Sequence, residues 1–378
     1  MKISNLAATA LCAVSFLTPA SSLYAYANEN ERAAIENTTA QDEALKQSFE
    51  RGEFSKIVET LQPLKNKTPK QYNMLISALM NTDLDEAEEA AEDFIHVHGN
   101  NFKAYHMHAS VMGAQASSSI FSALGYAKKA KKSLEKAVEI APDNIAVYQA
   151  LMQFHLMAPS IAGGDMDEAI KLTQKIAELD ATEGQFALAR VYLEDGKEVE
   201  AKAVFEKLIE DETTQIRGRV ELGSFYLGDK QYASSYDILF PLADVEIAEV
   251  EKKESEAWEA YQETKSNLLY GKYRLGQVAV ESGKYTPVGI NALEGYLEDY
   301  ANTNIDRESL PSTKWAQLRL AELYLNANRI DEAQRMVNLL DGEHDERFSK
   351  ILKKINKGIK KTSSGVAPQK LAFSHLLI

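Results

Sequence analysis

Four of the seven histidines crowd into one stretch, HVHGNNFKAYHMH, as His96, His98, His106 and His108. Met107, Met112, Met152, Met157 and His155 lie close by or one repeat further on. Imidazole and thioether together suit copper or nickel. A turn between two helices could bring His98 and His106 to one ion, and these two are the candidate metal ligands. Histidines two apart on a helix point roughly 200° from each other, so each His-x-His pair offers one side chain to a shared site. His108 occupies a register where the helical pattern below places buried leucine, and reads as a core residue. The site assignment therefore carries no metal, and metal handling stands as the alternative function.

Other chemistry finds less support. Ser117-Ser118-Ser119 has no base at a spacing that makes a nucleophile, and neither HExxH nor GxSxG occurs. No catalytic residue is assigned and no cofactor is expected. Gly163-Gly164-Asp165 precedes a helical pattern without the Lys-Ser/Thr of a phosphate loop, so Asp165 reads as a helix cap.

The elements that position these residues follow a spacing of small and large apolar positions. Ala130, Leu134, Ala137 and Pro142 place small residues on one helix face, where a neighbour can approach closely, and end the helix at the proline. The small residue that opens each second helix recurs as Ile57, Ala87, Ala130, Ala169, Ala201, Ser235, Val288 and Ala333. Leu188-Ala189, Tyr192, Asp195-Gly196, Ala201, Phe205 and Leu208 form one unit. Leu222-Gly223, Tyr226, Tyr232, Ser235 and Leu239 repeat it, as do Leu320-Ala321, Tyr324, Ile330, Ala333 and Val337. These units resemble the tetratricopeptide repeat family, whose period is about 34 residues.

The resemblance implies an all-α, right-handed superhelical solenoid of about eight helical hairpins that acts as a non-catalytic protein-interaction scaffold. In that family non-core positions of each first helix line a concave groove and contact a peptide. Carried onto this chain, they are Tyr72, Ile76, His106, Gln149, Gln153, Phe186, Arg190, Arg217, Tyr270, Tyr273 and Trp315. The Lys/Asn/Arg set with which some relatives clamp a terminal carboxylate is not evident, since Arg190 and Arg217 lack the accompanying Asn.

Three insertions break the period. Residues 113–121 and 158–165 are expected to lengthen turns and to project together from one edge. The Glu-rich stretch 247–267, with Glu249 four before Lys253, is expected to extend or add a helix. Residues 346–361 carry Phe348, Ile351, Leu352, Ile355 and Ile359 at helical spacing and read as a C-terminal cap. Lys350, Lys353, Lys354, Lys357, Lys360 and Lys361 form its other face. A solvated face is the plain reading, and docking of an envelope-assembly factor at a membrane surface is the alternative. The tail 362–378 includes LAFSHLLI; a frayed or loosely packed end is the plain reading, and occupation of the groove or of a partner is the alternative.

At the start, Lys2, the apolar run 6–16 and Ala25-Tyr26-Ala27 read as a signal peptide over 1–27, with the repeats over 28–345. Cys12, the chain's one cysteine, falls inside that run. The expected location is a bacterial periplasm, or alternatively the medium. A formal charge of −14, from 56 Asp+Glu against 42 Lys+Arg, argues against nucleic acid as partner and leaves a protein or peptide.

Overall fold

The computed structural model describes residues 44–49, 51–118, 122–250, 255–307, 309–342 and 346–363. The expected signal peptide, Cys12 and the apolar tail beyond 363 lie outside the described residues. Among those described, all regular structure is helical, and the chain divides into two compact units, Met1–Val204 and Phe205–Ile378.

The first unit is a series of antiparallel helix pairs. A helix over 44–49 precedes α1 (Phe54–Leu61); α2 (Pro69–Leu79) pairs with α3 (Leu84–Val97), α4 (Phe102–Ser118) with α5 (Ala123–Ile140), and α6 (Ile145–Met157) with α7 (Met166–Leu179). α8 (Ala181–Glu194) turns at Gly196 into α9 (Glu198–Glu210), within which the boundary between units falls. In the second unit α10 (Gln215–Gly228) pairs with α11 (Tyr232–Leu239), α12 (Glu256–Ser282) with α13 (Thr286–Asn302), and α14 (Thr313–Asn326) with α15 (Ile330–Val337). α16 (Glu346–Ser363) packs on the last pair.

Local chemistry starts these helices where the sequence places polar residues. Thr68 accepts from Gln71 N while its own N–H donates to Gln71 Oε1, a reciprocal cap with Pro69 in the first turn. Asp83, Asn144, Asp165, Asp180, Ser255 and Ser312 accept first-turn N–H groups in the same way, each worth about 1 kcal/mol. Pro142 stands in the turn that ends α5, and its carbonyl accepts from Tyr148 Oη at 2.7 Å, tying the turn to the next helix.

The small-residue spacing has the expected cause. Ile57, Ala87, Ala169, Ala201, Ser235 and Ala333 are fully buried on second helices. A Cβ on Gly223 would lie 2.5 Å from Leu239 Cγ, so the α10 backbone meets the leucine of α11 directly. Ser235 Oγ donates to the Gly223 carbonyl at 2.7 Å and completes that contact. In α13 the expected register is off by one. Val288 is half-buried, and Gly289, whose N–H bonds the carbonyl of the capping Tyr285, takes the closely packed position.

Two insertions depart from expectation. Residues 113–118 continue α4 instead of lengthening a turn, and 119–121 lie outside the described residues. Gln115 is buried there, and its Nε2 donates to Leu84 O and Asp85 Oδ1, which ties the extension to α3. The second insertion does not project beside the first. It forms a 3-10 turn, Ser160–Ala162, that folds back on α5, where Lys131 Nζ donates to Gly163 O at 3.3 Å. Lys131 stands about 12 Å along α5 from its start. The third insertion agrees with expectation only in part: residues 247–250, Glu249 among them, are not helical, 251–254 lie outside the described residues, and from Glu256 onward it becomes the first turns of α12.

α16 packs on the second unit, burying Phe348, Ile355 and Ile359 in the core built by α12, α13, α14 and α15.

Candidate peptide-binding surface

His98, His106 and His108 each sit in surroundings of their own. His98 Nε2 lies 3.0 Å from the carbonyl of Lys67, and its ring meets the edges of Tyr72 and Phe94. His106 is half-buried, with its pKa lowered by burial. His108 is buried as expected, with Nδ1 2.9 Å from Ser133 Oγ. Among the described residues no three His, Cys, Asp or Glu side chains are grouped to hold a metal ion.

Gly163-Gly164-Asp165 turns inward. The N–H groups of Gly163, Gly164 and Asp165 bond the carbonyls of Ser160, Pro159 and His155, and Asp165 caps α7. A Cβ on Gly164 would stand 1.7 Å from Ala158 O, so close backbone passage requires the glycine.

The expected groove residues divide into buried and surface positions. Tyr72, Ile76, Phe186 and Tyr273 are core residues, which corrects their reading as ligand contacts. Tyr72 stacks on Phe94 and donates to Asp93 Oδ2 at 2.5 Å; that carboxylate and burial hold its hydroxyl well above the usual phenol range. Arg217 is already committed, with Nε on Glu221 Oε1 at 2.9 Å and Nη1 on Glu263 Oε1 at 3.2 Å. In the first unit His106, Gln149, Gln153 and Arg190 are half-buried. Gln149 Nε2 donates to Glu183 Oε2 at 2.7 Å and links α6 to α8.

Tyr270 and Trp315, both half-buried, lead to a polar cluster of the second unit. From Tyr270 the face of α12 continues through Arg274, Gln277 and Glu281. From Trp315 the face of α14 continues through Arg319 and Glu322. Arg274 lies over the Tyr270 ring at 4.6 Å, bonds its hydroxyl, and donates from Nη1 to Gln277 Oε1 at 2.8 Å. Arg319 Nη1 donates to Glu322 Oε2 at 2.7 Å, with both residues buried. The Trp315 ring holds two guanidinium groups, Arg319 at 5.7 Å and Arg347 of α16 at 5.8 Å, with Phe348 against it at 5.0 Å.

Four cations, Arg274, Arg319, Arg347 and Lys354, share this face with two carboxylates, Glu281 and Glu322. Burial raises the Glu281 pKa against the pull of Arg319, Arg347 and Arg274. Burial likewise lowers Lys354, with Glu322 opposing. The Nε groups of Arg274 and Arg319 are buried without an acceptor. The cluster thus sets three guanidinium groups against two carboxylates beside two half-buried aromatic rings. It can accept a carboxylate and hold an apolar neighbour of that carboxylate. Arg274, Glu281, Arg319, Glu322 and Arg347 were missed at the sequence level, although Arg274 and Arg319 stand four residues, and Glu322 seven, from an aromatic position that was singled out.

Helical hairpins built on close small-residue contacts define the class as an α-helical repeat protein. Tetratricopeptide repeat family models match residues 115–144 and 183–212. The chain is a tetratricopeptide-repeat protein, and its hairpins are protein-interaction scaffolding. Its fold is similar to that of yeast Tom70, at a TM-score of 0.54 and 14% identity, over 92% of this chain and 67% of that one. It also matches Pseudomonas aeruginosa PilF at 17% identity and a TM-score of 0.32, over 67% of this chain and 87% of that one. No curated protein matches the chain.

Proposed function

We propose that this protein is a non-catalytic adaptor that holds an acidic peptide segment of a partner on the first-helix face of its second unit. The observation that carries the proposal is the cluster around Trp315, in which the guanidinium groups of Arg274, Arg319 and Arg347 face Glu281 and Glu322, with Arg319 and Arg347 over the Trp315 ring. Arg347, exposed beside the Trp315 ring, offers a guanidinium that an incoming carboxylate can engage through two parallel hydrogen bonds. Tyr270 and Trp315 supply the rigid aromatic area that anchors peptide side chains. Export to the periplasm belongs to the same proposal, and its support is the pattern of Lys2, 6–16 and Ala25-Tyr26-Ala27.

The test uses a fluorescein-labelled peptide that alternates Glu with Leu, and its Gln-for-Glu counterpart. The full chain binds the Glu peptide at least tenfold more tightly, and binding weakens with salt. Arg274→Gln with Arg347→Gln removes that preference while far-UV circular dichroism stays the same. Equal binding of the two peptides, or an unaffected preference in the double variant, overturns the proposal.

A further inference from the structure

The two carboxylates of the Trp315 cluster are held differently. Glu322 of α14 is buried, and its Oε2 accepts from Arg319 Nη1 at 2.7 Å. Glu281 of α12 is half-buried, and among the described residues its carboxylate accepts no hydrogen bond and forms no ion pair. It stands in the last turn of its helix, where the carbonyl ends disfavour a negative charge. The charged groups that face it come from three helices: Arg274 on α12 itself, Arg319 and Glu322 of α14, and Arg347 of α16. Tyr232 of α11 faces it as well, its hydroxyl pushed up by burial and by the Glu281 charge. Behind these, buried Tyr273 lies against Arg319 and Arg274, and Lys354 of α16 faces Glu322. The guanidinium groups thus act on Glu281 through their field, with no bond that fixes its ionised form. Burial outweighs that field and holds its pKa above the usual carboxylate value.

We infer that the cluster takes an acidic peptide together with a proton, which passes from solvent to the Glu281 carboxylate as the peptide carboxylate arrives; this rests on the site's proposed role in peptide binding. A third carboxylate among Arg274, Arg319 and Arg347 draws on the positive field that Glu281 shares, and it sets a like charge beside Glu281. Protonating Glu322 would sacrifice its charge-assisted bond to Arg319. Glu281 has no such bond to lose, so its neutralisation is the site's least costly response. Linkage makes the effect reciprocal: a peptide that raises the proton affinity of Glu281 is itself bound more tightly when Glu281 is protonated. Affinity therefore rises as pH falls through the range of Glu281, until the peptide's own glutamates, near 4.3 when unperturbed, begin to lose their charge. A rise of about one unit in the Glu281 pKa on binding corresponds to about tenfold in affinity. Glu281 is then the residue that makes capture of an acidic segment strongest in mild acid.

Titration calorimetry of the full chain with the Glu-Leu peptide tests this, at about pH 5.5 and about pH 7.5 and constant ionic strength, in pairs of buffers that differ in ionisation enthalpy. The dependence of the heat on the buffer counts the protons taken up. The expected result is net uptake on binding, with an affinity about tenfold higher at the lower pH. Glu281→Gln carries a neutral group at every pH, so it binds the peptide more tightly than the unaltered chain at the higher pH and loses both the uptake and the pH dependence. Uptake is read on the unaltered chain, so it decides the matter even where the variant folds poorly. Preference for the Glu over the Gln peptide, with no uptake and a pH-independent affinity, overturns the inference and leaves peptide binding standing. Loss of that preference at both pH values overturns the two together. Uptake that persists undiminished in Glu281→Gln assigns the proton to another group and overturns the role of Glu281.

Discussion

Asp299 of α13 is the sharpest point at which to perturb the second unit. Its Oδ1 lies 2.8 Å from Lys265 Nζ and its Oδ2 2.9 Å from Lys272 Nζ, so one carboxylate neutralises two lysines of α12. Both lysine side chains are 9% exposed and Asp299 is 27% exposed. Asp299→Asn leaves two buried ammonium groups with no counter-charge. Breaking a buried pair costs about 3–5 kcal/mol, and the partial exposure of Asp299 puts this case near 3 kcal/mol. With a urea slope of about 2 kcal/mol per molar, the unfolding midpoint falls by about 1.5 M. The assay is tryptophan fluorescence, because the chain's two tryptophans, Trp258 and Trp315, both report on the second unit.

The same residue sets a pH dependence. Burial raises the Asp299 pKa, but the hydrogen bonds from Lys265 and Lys272 outweigh it, and the net position is below 3.8. A depressed carboxylate stabilises the fold above its unfolded value and loses that contribution as pH falls through its folded value. The wild type and Asp299→Asn therefore differ fully at pH 7 and converge in acid below pH 3.8. Replacing all three residues by Met, Met and Leu recovers most of the lost stability, since a packed apolar triad needs no counter-charge. A midpoint shift under about 0.5 M, or a difference that persists unchanged into acid, refutes the reasoning.

Two further perturbations test the hairpin geometry. Gly223→Ala drives a methyl group against Leu239 and costs about 1–3 kcal/mol in urea unfolding, and Leu239→Ala in the same chain gives a coupling that removes most of that strain. Lys230, at φ +61° in the turn between α10 and α11, occupies the conformation that Gly196 supplies at the corresponding turn of the first unit. Lys230→Gly raises the unfolding midpoint, by an amount equivalent to about 1 kcal/mol.

The hairpins were legible because their determinants are local. A small residue, a cap and a turn glycine repeat at fixed offsets, and the helix bounds follow from them, as at Asp83, Asp165 and Gly196. The one slip in register, Val288 for Gly289, arose where Tyr285 caps the helix in a left-handed conformation that no side-chain type announces. The candidate site was only half legible. Trp315 and Tyr270 stood out by type, but whether a first-helix aromatic is packed or open depends on neighbours distant in sequence. Tyr72 and Tyr273 are covered, while Trp315 is reached by Arg347 from a different helix. Arg319 and Glu322 did not stand out in the sequence, because the groups around them come from α12 and α16, distant in the chain.

α12 has a consequence for how this chain can be rearranged. It runs for 27 residues against 17 in α13, and its opening turns carry Trp258 and Tyr261. Those rings share one apolar cluster with Ile247 and Val250 before the helix and Ile305 and Leu310 after α13. Repeat proteins lengthen and shorten by copying or deleting whole hairpins, which requires junctions that strand no apolar surface. Around α12 and α13 the connecting segments are themselves part of the packing, so the transferable cassette is not the hairpin but the whole of 243–311. A recombination joint inside that interval uncovers two large aromatic rings, whereas joints at the short turns between hairpins, after Val97, Ile140 or Leu179, do not. The second unit therefore holds one block that must be inherited entire among repeats that are otherwise free to be exchanged.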